Sequence, residues 1–397
     1  KMQEENSVKY AERVRKIEPF RVMDIVARAA ALEADGHDVV HMEVGEPDFP
    51  TPGAIVKAGQ KALTAGKTKY TTAQGLPELR ECISQQYMDW YGISIDPSRI
   101  FVTTGGSAAL LLVTSMLLNV DEGFLMTDPG YPCNRHFLHA FEAEPQLVPV
   151  TADDHFQLTP ALIERHWKDN TRGALIASPA NPTGAVIARK DLEQIASAIK
   201  QRNGYLVVDE IYHGLVYGDV AQDSVLSIDP SAFVVNSFSK YFGMTGWRLG
   251  WMVVPPDAVK IAEKLSQNLF ICPSSVAQYA ALGAFSVDAK NEMERNKAEF
   301  KKRRDFLVPA LRKLGFGVPL MPEGAFYVYA KLPAGLGSSE AFAQSLLEQH
   351  HVAITPGTDF GTYLAEDYAR FSYSQDLETL KKGVERITLA LERNRGI

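Results

Sequence analysis

Lys240 is preceded by the hydroxyl-bearing residues Ser237 and Ser239 and is followed, after a turn that contains glycine, by Arg248. A lysine that acts as an amine nucleophile near neutral pH needs its charge suppressed, and its electrophile must be held beside it. Two serines and an arginine around such a lysine form a suitable cradle for a phosphate dianion. Taken alone, however, the segment fits a surface lysine after a strand better than a catalytic one.

A second candidate anion site is the stretch Gly105-Gly106-Ser107-Ala108, which joins a predicted strand to a predicted helix. Free backbone N–H groups and the helix dipole attract an anion at such a junction. The Gly-Gly pair is a weak signal by itself, because many α/β proteins carry one before a helix.

Two further polar positions follow predicted strands. Asp209 ends the apolar run at residues 205–208, and Tyr212 lies three residues later. In an open α/β sheet, ligands bind at the carboxyl ends of the parallel strands, so Asp209 is a candidate ligand-binding carboxylate. Asn181 begins the turn signal Asn-Pro-Thr-Gly, and a turn is compatible with a ligand role for its side chain.

Residues 237–250 resemble the cofactor-lysine signature of the class I/II aminotransferases of fold type I. The match includes the hydroxyl before Lys240, the Gly246-x-Arg248 step and the closing Leu249-Gly250 pair. The motifs around Asn181, Asp209 and Arg370 follow in the family's order, and the resemblance extends from about residue 13 to residue 393.

The resemblance implies pyridoxal 5'-phosphate (PLP) as cofactor, held by Lys240 as a Schiff base. It implies that Asp209 pairs with the protonated pyridine nitrogen, so that the ring stays an electron sink. Tyr212 and Asn181 would hydrogen-bond the phenolic oxygen, which lowers the pKa of the imine, and Tyr131 would stack on the ring. Lys240, Asp209 and Tyr212 are thus the implied catalytic residues. The implied phosphate-binding residues are Gly105, Gly106, Ser107, Ala108, Ser237, Ser239 and Arg248.

The resemblance also implies a substrate site and an assembly. Arg370 fits the family's arginine that grips the substrate α-carboxylate through a bidentate fork, although by itself it would also suit a surface salt bridge. Gly45 matches a glycine whose backbone lies near that carboxylate, and Asn181 belongs to the same substrate-binding set. Tyr70 resembles the tyrosine that reaches the phosphate of the neighbouring subunit. We therefore expect a homodimer with shared active sites.

Two departures from the family's pattern bear on the substrate. Aspartate-type members often carry a lysine directly after the Gly-Gly pair, where this chain has Ser107. Residues 19–23 are apolar where relatives often have a small polar residue. Both differences favour an apolar or aromatic amino acid over a dicarboxylic one.

The predicted function is therefore transfer of an amino group between an L-amino acid and a 2-oxo acid. A C–S β-lyase of the same fold type is the alternative, because both reactions pass through the same carbanion. A PLP-binding transcriptional regulator would need an appended helix-turn-helix region, for which the match from about residue 13 leaves no room. A non-catalytic fold is disfavoured by the intact set of Lys240, Asp209, Tyr212 and Arg248.

The elements that must position these residues alternate along the middle of the chain. Helical patterns separate several of the strand candidates, which predicts a mostly parallel sheet with helices on both faces. The strand candidates are residues 100–104, 123–127, 173–177, 205–209, 232–236 and 247–254. We assign residues 46–287 to a large PLP-binding domain of this α/β class.

A smaller α+β domain is predicted from residues 1–45 and 288–397. Its helix candidates are residues 19–34, 288–313, 339–350 and 376–393, and a strand is expected near residues 352–355.

The composition excludes several other classes. The 397-residue chain has a formal net charge of −7, which gives no general attraction to nucleic acid or anionic membranes. Its three cysteines are far apart and form no metal motif, so we expect reduced thiols, no metal and a cytoplasmic location. Residues 1–9 lack the apolar core of a signal peptide, and no apolar run approaches the roughly 18 residues that cross a bilayer.

Overall fold

The computed structural model describes residues 9–394, so most of the N-terminal stretch at residues 1–9 lies outside the described residues. The helices are α1 (Arg21–Ala34), α2 (Gly53–Thr64), α3 (Pro77–Tyr91), α4 (Gly105–Leu117), α5 (Pro132–Ala140), α6 (Pro160–His166), α7 (Arg189–Gln201), α8 (Val259–Leu269), α9 (Ser275–Leu282), α10 (Val287–Lys313), α11 (Ser339–His350) and α12 (Leu377–Asn394). The strands are β1 (Val40–His41), β2 (Ile100–Thr103), β3 (Gly123–Asp128), β4 (Glu144–Pro149), β5 (Thr171–Ala177), β6 (Tyr205–Asp209), β7 (Phe233–Ser237), β8 (Gly250–Val253), β9 (Tyr327–Lys331), β10 (Val352–Ala353), β11 (Thr355–Pro356) and β12 (Tyr368–Ser372).

A seven-stranded sheet in the order β2-β8-β7-β6-β5-β3-β4 forms the centre of the fold. Its neighbouring strands run parallel except at β8, which is antiparallel to both β2 and β7. Successive side chains of a strand point to opposite faces, and here both faces are covered. On β6, Leu206 and Val208 pack into one apolar cluster while Val207 packs into another. The predicted α/β class is confirmed, with a mixed, mostly parallel sheet between helices.

Two predicted strands differ from the observed ones by more than two residues at one end or in number, whereas the other predicted strands agree with them to within two residues at each end. The strand expected at residues 247–254 begins only at Gly250, because Thr245–Trp247 form a 3-10 turn and Arg248 has a left-handed φ of 54°. The strand expected near residues 352–355 is two strands. The first, β10, pairs in parallel with β1, and the second, β11, pairs antiparallel with β12, so the chain changes sheet at Ile354.

The remaining strands form two smaller sheets, one of β11-β12-β9 and one of β1-β10. Helix α11 has the predicted bounds, and α10 begins one residue earlier than predicted, where the Ser286 hydroxyl accepts from the Ala289 N–H at 3.2 Å. An N-terminal side-chain cap of this kind satisfies a backbone donor that the helix itself leaves free.

The polar residues that end the central strands share one edge of the large sheet. Asp209 is the last residue of β6 and Ser237 the last of β7, and α4 begins at the same edge with Gly105. The sheet therefore delivers a carboxylate, a hydroxyl and a helix N-terminus to one place. Among residues 9–394, no helix is long and apolar enough to cross a membrane.

Candidate active site

A cavity of about 460 Å³ lies at this edge of the sheet. Twelve of the fifteen predicted site residues line it: Gly45, Gly106, Ser107, Tyr131, Asn181, Asp209, Tyr212, Ser237, Ser239, Lys240, Arg248 and Arg370. The other three do not. Gly105 and Ala108 are buried at the start of α4, and Tyr70 is 79% exposed on the surface.

Lys240 projects into the cavity from the loop that follows β7. Its Nζ donates to the Gly45 carbonyl at 2.5 Å and lies 5.7 Å from the centroid of the Tyr212 ring. Burial lowers the pKa of Lys240 to about 8, and the positive charges of Arg370 and Arg248 act in the same direction. A larger fraction of the amine is therefore neutral near pH 7 than in an exposed lysine.

Asp209 is only 4% exposed, and one of its carboxylate oxygens accepts from the Ile211 N–H at 3.0 Å. Burial raises the pKa of Asp209 to about 7, against the opposing effects of that hydrogen bond and the Lys240 charge. Among the described residues no cation lies within ion-pairing distance of this carboxylate. A buried carboxylate of this kind suits a cationic ligand.

The N-terminus of α4 forms an anion cradle with Arg248 and the two serines. Gly105 has φ of +77°, and a Cβ there would come within 2.7 Å of the Arg248 Nη2, so glycine allows this close approach. Arg248 Nη1 donates to the Thr245 carbonyl at 3.0 Å and to Ser239 Oγ at 3.4 Å. Backbone N–H groups, hydroxyls and a guanidinium thus converge on a small volume, as a phosphate dianion requires.

Three tyrosines, Tyr131, Tyr212 and Tyr327, also line the cavity. The Tyr212 hydroxyl is 2.8 Å from the Tyr327 hydroxyl, and both side chains are buried. Tyr131 precedes α5, and its ring meets that of Phe20 edge-on with centroids 6.4 Å apart. Sequence reasoning missed Tyr327 as a site residue, because β9 reaches the cavity only through its pairing with β12.

Arg370 is a buried cation that has no carboxylate within ion-pairing distance among the described residues. Its Nη1 donates to Asn181 Oδ1 at 2.9 Å and its Nη2 to the Glu43 carbonyl at 2.6 Å. Its Nε is buried without an acceptor in the described part of the chain. Since a guanidinium has five N–H donors, Arg370 retains donors for a carboxylate in the cavity.

Helix α1 and the residue before it form an apolar wall of the cavity. Phe20, Val22, Met23 and Val26 contribute to it, and Leu110 of α4 joins them. Within residues 9–394, the only cations that line the cavity are Lys240, Arg248 and Arg370, and no cluster of potential metal ligands was found.

Comparison with known proteins gives consistent matches over nearly the whole chain. Residues 37–387 match the family model described as aminotransferase class I and II. The chain is 37% identical over 380 residues to the (5-formylfuran-3-yl)methyl phosphate transaminase of Methanocaldococcus jannaschii, covering 95% of this chain and 98% of that protein. It is 37% identical over 372 residues to the valine–pyruvate aminotransferase of Mycobacterium tuberculosis, covering 94% and 96%.

The aspartate aminotransferase of Pyrococcus horikoshii is 34% identical over 393 residues, covering 98% of this chain and 99% of that protein. Among solved structures, an aminotransferase from Mycobacterium tuberculosis superposes with a TM-score of 0.94 at 36% identity, covering 98% of this chain and all of that one. The named substrates of these relatives differ.

Proposed function

The chain belongs to the class I and II aminotransferases, as its motifs predicted, and from this premise we propose that it binds PLP at Lys240 and transfers the amino group of an apolar or aromatic L-amino acid to a 2-oxo acid. The observation that carries the proposal is the cavity itself. It places a lysine of lowered pKa, a buried carboxylate, an anion cradle and a buried arginine around about 460 Å³ with an apolar wall.

The residues present fit PLP as cofactor. The phosphate would lie on Gly105, Gly106, Ser107, Ser237, Ser239 and Arg248, at the N-terminus of α4. The ring nitrogen, when protonated, would supply the cation that Asp209 lacks. Tyr212 and Asn181 offer donors to the phenolic oxygen, and Tyr131 offers an aromatic face. Ala108 follows the lining residue Ser107 but does not line the cavity itself. We therefore propose that it contributes only its backbone, in the first turn of α4.

When bound, PLP supplies an electron sink for the substrate α-carbon. The chain's own residues supply the rest. Arg370 binds and orients the α-carboxylate, with Asn181 and the Glu43 carbonyl holding the guanidinium. Lys240 Nζ, when it is not bonded to PLP, would act as the base that takes the proton from the substrate α-carbon. Its lowered pKa leaves it able to accept that proton near neutral pH.

The apolar preference follows from the charges along the cavity. Lys240, Arg248 and Arg370 each have a role in the proposal, and the described lining offers no fourth cation to a second carboxylate. The distal carboxylate of aspartate would be partly desolvated beside Ser107, Leu110 and Phe20. An unpaired charge in such a place is costly.

The preference is tested by steady-state kinetics on leucine, phenylalanine, alanine and aspartate with one 2-oxo acid acceptor. We expect kcat/KM for aspartate to be at least about tenfold below that of the best apolar donor. A Ser107→Lys variant should raise the ratio of kcat/KM for aspartate to kcat/KM for leucine, because it places a cation after the Gly-Gly pair. Ser115→Lys, on the same helix but outside the cavity lining, is the control. If aspartate were the best donor of the unaltered enzyme, the proposed substrate class would be wrong.

A C–S β-lyase would use the same lysine and carboxylate, so the same kinetics should include a thioether amino acid such as cystathionine. Thiol release without amino transfer to the acceptor would contradict the proposed transfer. The named relatives support transfer, since each is a transaminase or aminotransferase.

We further propose a homodimer in which Tyr70 reaches the phosphate of the neighbouring subunit. In one subunit Tyr70 is 79% exposed and Arg248 is also exposed, so the cradle is open on one side. We propose residues 46–287 as the large domain and residues 1–45 with 288–397 as the small one. A cytoplasmic location is proposed because the three cysteines are free thiols.

A further inference from the structure

Glu43 is a fully buried carboxylate that the proposed chemistry does not use. Its Oε1 lies 2.7 Å from His41 Nδ1, and its Oε2 is buried with no hydrogen-bond partner among the described residues. The other ring nitrogen of His41, Nε2, lies 2.8 Å from Glu33 Oε1 on α1. A chain of three side chains therefore runs from Glu33 on the surface of α1 to the buried Glu43, whose neighbours Val44 and Gly45 line the cavity.

The backbone of Glu43 belongs to the proposed substrate site. Its carbonyl accepts from Arg370 Nη2 at 2.6 Å, and two residues later the Gly45 carbonyl accepts from Lys240 Nζ. Directly before Glu43 the segment is held to β12, since the Ser372 N–H donates to the Met42 carbonyl at 2.8 Å. Residues 41–45 thus carry acceptors for both the arginine and the lysine.

The contacts of His41 favour its charged form. The hydrogen bond to Glu43 is the largest cause that raises the pKa of His41, to about 9, and Glu33 adds to it against partial burial. Among residues 9–394, the charged groups that contact His41 are Glu33 of α1 and Glu43 of its own segment, while α12, which also packs on β1, places the uncharged Gly383 against Val40 and Met42. The neighbouring strand β10 places the uncharged Ala353 beside His41. A buried carboxylate that lost this cation would be left uncompensated.

We propose that His41 and Glu43 form a positioning pair for Arg370, and that the contact of His41 with Glu33 ties the apolar wall helix α1 to the same segment. The proposal rests on the proposed function, in which Arg370 binds the substrate carboxylate. The Glu43 side chain is held by His41 while its carbonyl holds Arg370, so a shift of the side chain moves the acceptor that aims the guanidinium. Val22 and Val26, on the same helix as Glu33, line the cavity, so the carboxylate end and the apolar end of the site are linked.

The test measures binding of 4-methylpentanoate, an apolar carboxylate without an amino group, to the PLP-loaded enzyme by calorimetry. His41→Gln keeps an N–H donor but no charge, and Glu43→Gln keeps the shape but no charge. At pH 7 we expect each to raise Kd for the carboxylate at least about tenfold, as small misplacements of a binding group do. Binding of the uncharged 4-methylpentanamide should change less than about twofold, because the wall itself remains.

The pH profile separates positioning from a merely structural role. A His whose pKa is raised contributes fully below its ordinary pKa, near 6.5, and loses the contribution as pH rises through about 9. The ratio of Kd between His41→Gln and the unaltered enzyme should therefore be largest near pH 6.5 and approach one above pH 9. Titration of Lys240 and the cofactor is common to both proteins and cancels in the ratio.

Arg28→Gln is the matched control, because Arg28 is exposed and ties α1 to α11, through Glu348 at 2.6 and 2.7 Å, rather than to residues 41–45. It should leave Kd within about twofold of the unaltered value. If the buried variants do not fold, the exposed Glu33→Gln variant tests the same proposal. It should raise Kd about two- to fivefold.

Unchanged Kd in folded His41→Gln and Glu43→Gln, or an equal loss for the acid and the amide, would overturn the proposal. If only Glu33→Gln folds, an unchanged Kd in that variant would overturn it as well. Failure of the proposed function would give a different experimental result. In that case the unaltered enzyme itself would not bind 4-methylpentanoate, and the positioning pair would fall with the site it serves.

Discussion

The lowered pKa of Lys240 comes from its surroundings. Burial is the largest cause that disfavours its charged form, and repulsion by Arg370 is the next; the attraction of Glu46, the repulsion of Arg248 and the attraction of Asp209 follow in decreasing order. Asp209 experiences the reverse balance, since burial raises its pKa toward neutrality. The pKa of each group is therefore shifted toward neutrality, which suits a cofactor that carries an aldehyde and a basic ring nitrogen.

For Lys240, we predict that PLP becomes attached to this residue alone. Borohydride treatment of the PLP-loaded protein, followed by peptide mass spectrometry, should place the added mass on Lys240. Lys240→Arg should show no such adduct and lose at least about a hundredfold in turnover, because the α-proton then has no base. Lys313→Arg, at an exposed position, is the control. A Lys240→Arg enzyme with half of the normal activity would refute the assigned role.

For Asp209, we predict that Asp209→Asn weakens PLP binding as well as turnover. The change removes a buried charge from its cationic partner, which costs about 3–5 kcal/mol. An absorbance titration of the apo-protein with PLP would measure the loss. Exposed Asp219→Asn should leave the PLP dissociation constant unchanged. Normal PLP affinity in Asp209→Asn would show that the ring nitrogen is balanced by another group.

At the scale of elements, the long helix α10 is joined to the segment that carries Gly45. Arg303 of α10 is 2% exposed and forms a bidentate pair with Asp48, with N–O distances of 2.7 and 3.0 Å. Its guanidinium also lies 4.8 Å from the Phe49 ring centroid and 5.3 Å from that of Phe300. This pair fixes the loop after Gly45 against the helix, and so supports the carbonyl that receives Lys240.

We therefore predict that Asp48→Asn lowers the free energy of unfolding by up to about 3–5 kcal/mol, because it removes the bidentate partner of the buried Arg303 and leaves only Glu299, 3.8 Å from its Nε, as a counterion among residues 9–394. Urea unfolding followed by circular dichroism would measure the change. Lys301→Met breaks the exposed Lys301–Asp305 pair on the same helix and should cost at most about 1 kcal/mol. Equal losses in the free energy of unfolding for the two substitutions would mean that the buried Arg303–Asp48 pair stabilises the fold no more than the exposed Lys301–Asp305 pair.

At the scale of the whole molecule, Arg248 in the cradle is exposed, and Tyr70 projects from the surface of the same chain. In a two-fold dimer that brings Tyr70 of each chain to the cradle of the other, both sites would be completed at once, because an isologous interface makes every contact twice.

We predict a dimer in sedimentation velocity, and a Tyr70→Phe variant that stays dimeric but binds PLP about tenfold more weakly, since it loses one hydrogen bond to a charged group. Tyr363→Phe, at another exposed tyrosine, should bind PLP normally. A fully active monomer would contradict the shared site.

The sequence by itself predicted the family and the fold class, and it named twelve of the residues that line the cavity. These features are local. A strand that ends in Asp209 or Ser237, a Gly-Gly pair before a helix, and the bounds of α11 all depend on short-range patterning that can be read along the chain.

Contacts between distant segments were decided only by the tertiary structure. The antiparallel direction of β8, the change of sheet at Ile354, the arrival of Tyr327 beside Tyr212 and the chain from Glu33 through His41 to Glu43 each join residues with no shared pattern. A buried acceptor such as the Glu43 carbonyl has no side-chain signature at all. Its role depends on which guanidinium the fold brings within 2.6 Å, and Arg370 lies 327 residues away along the chain.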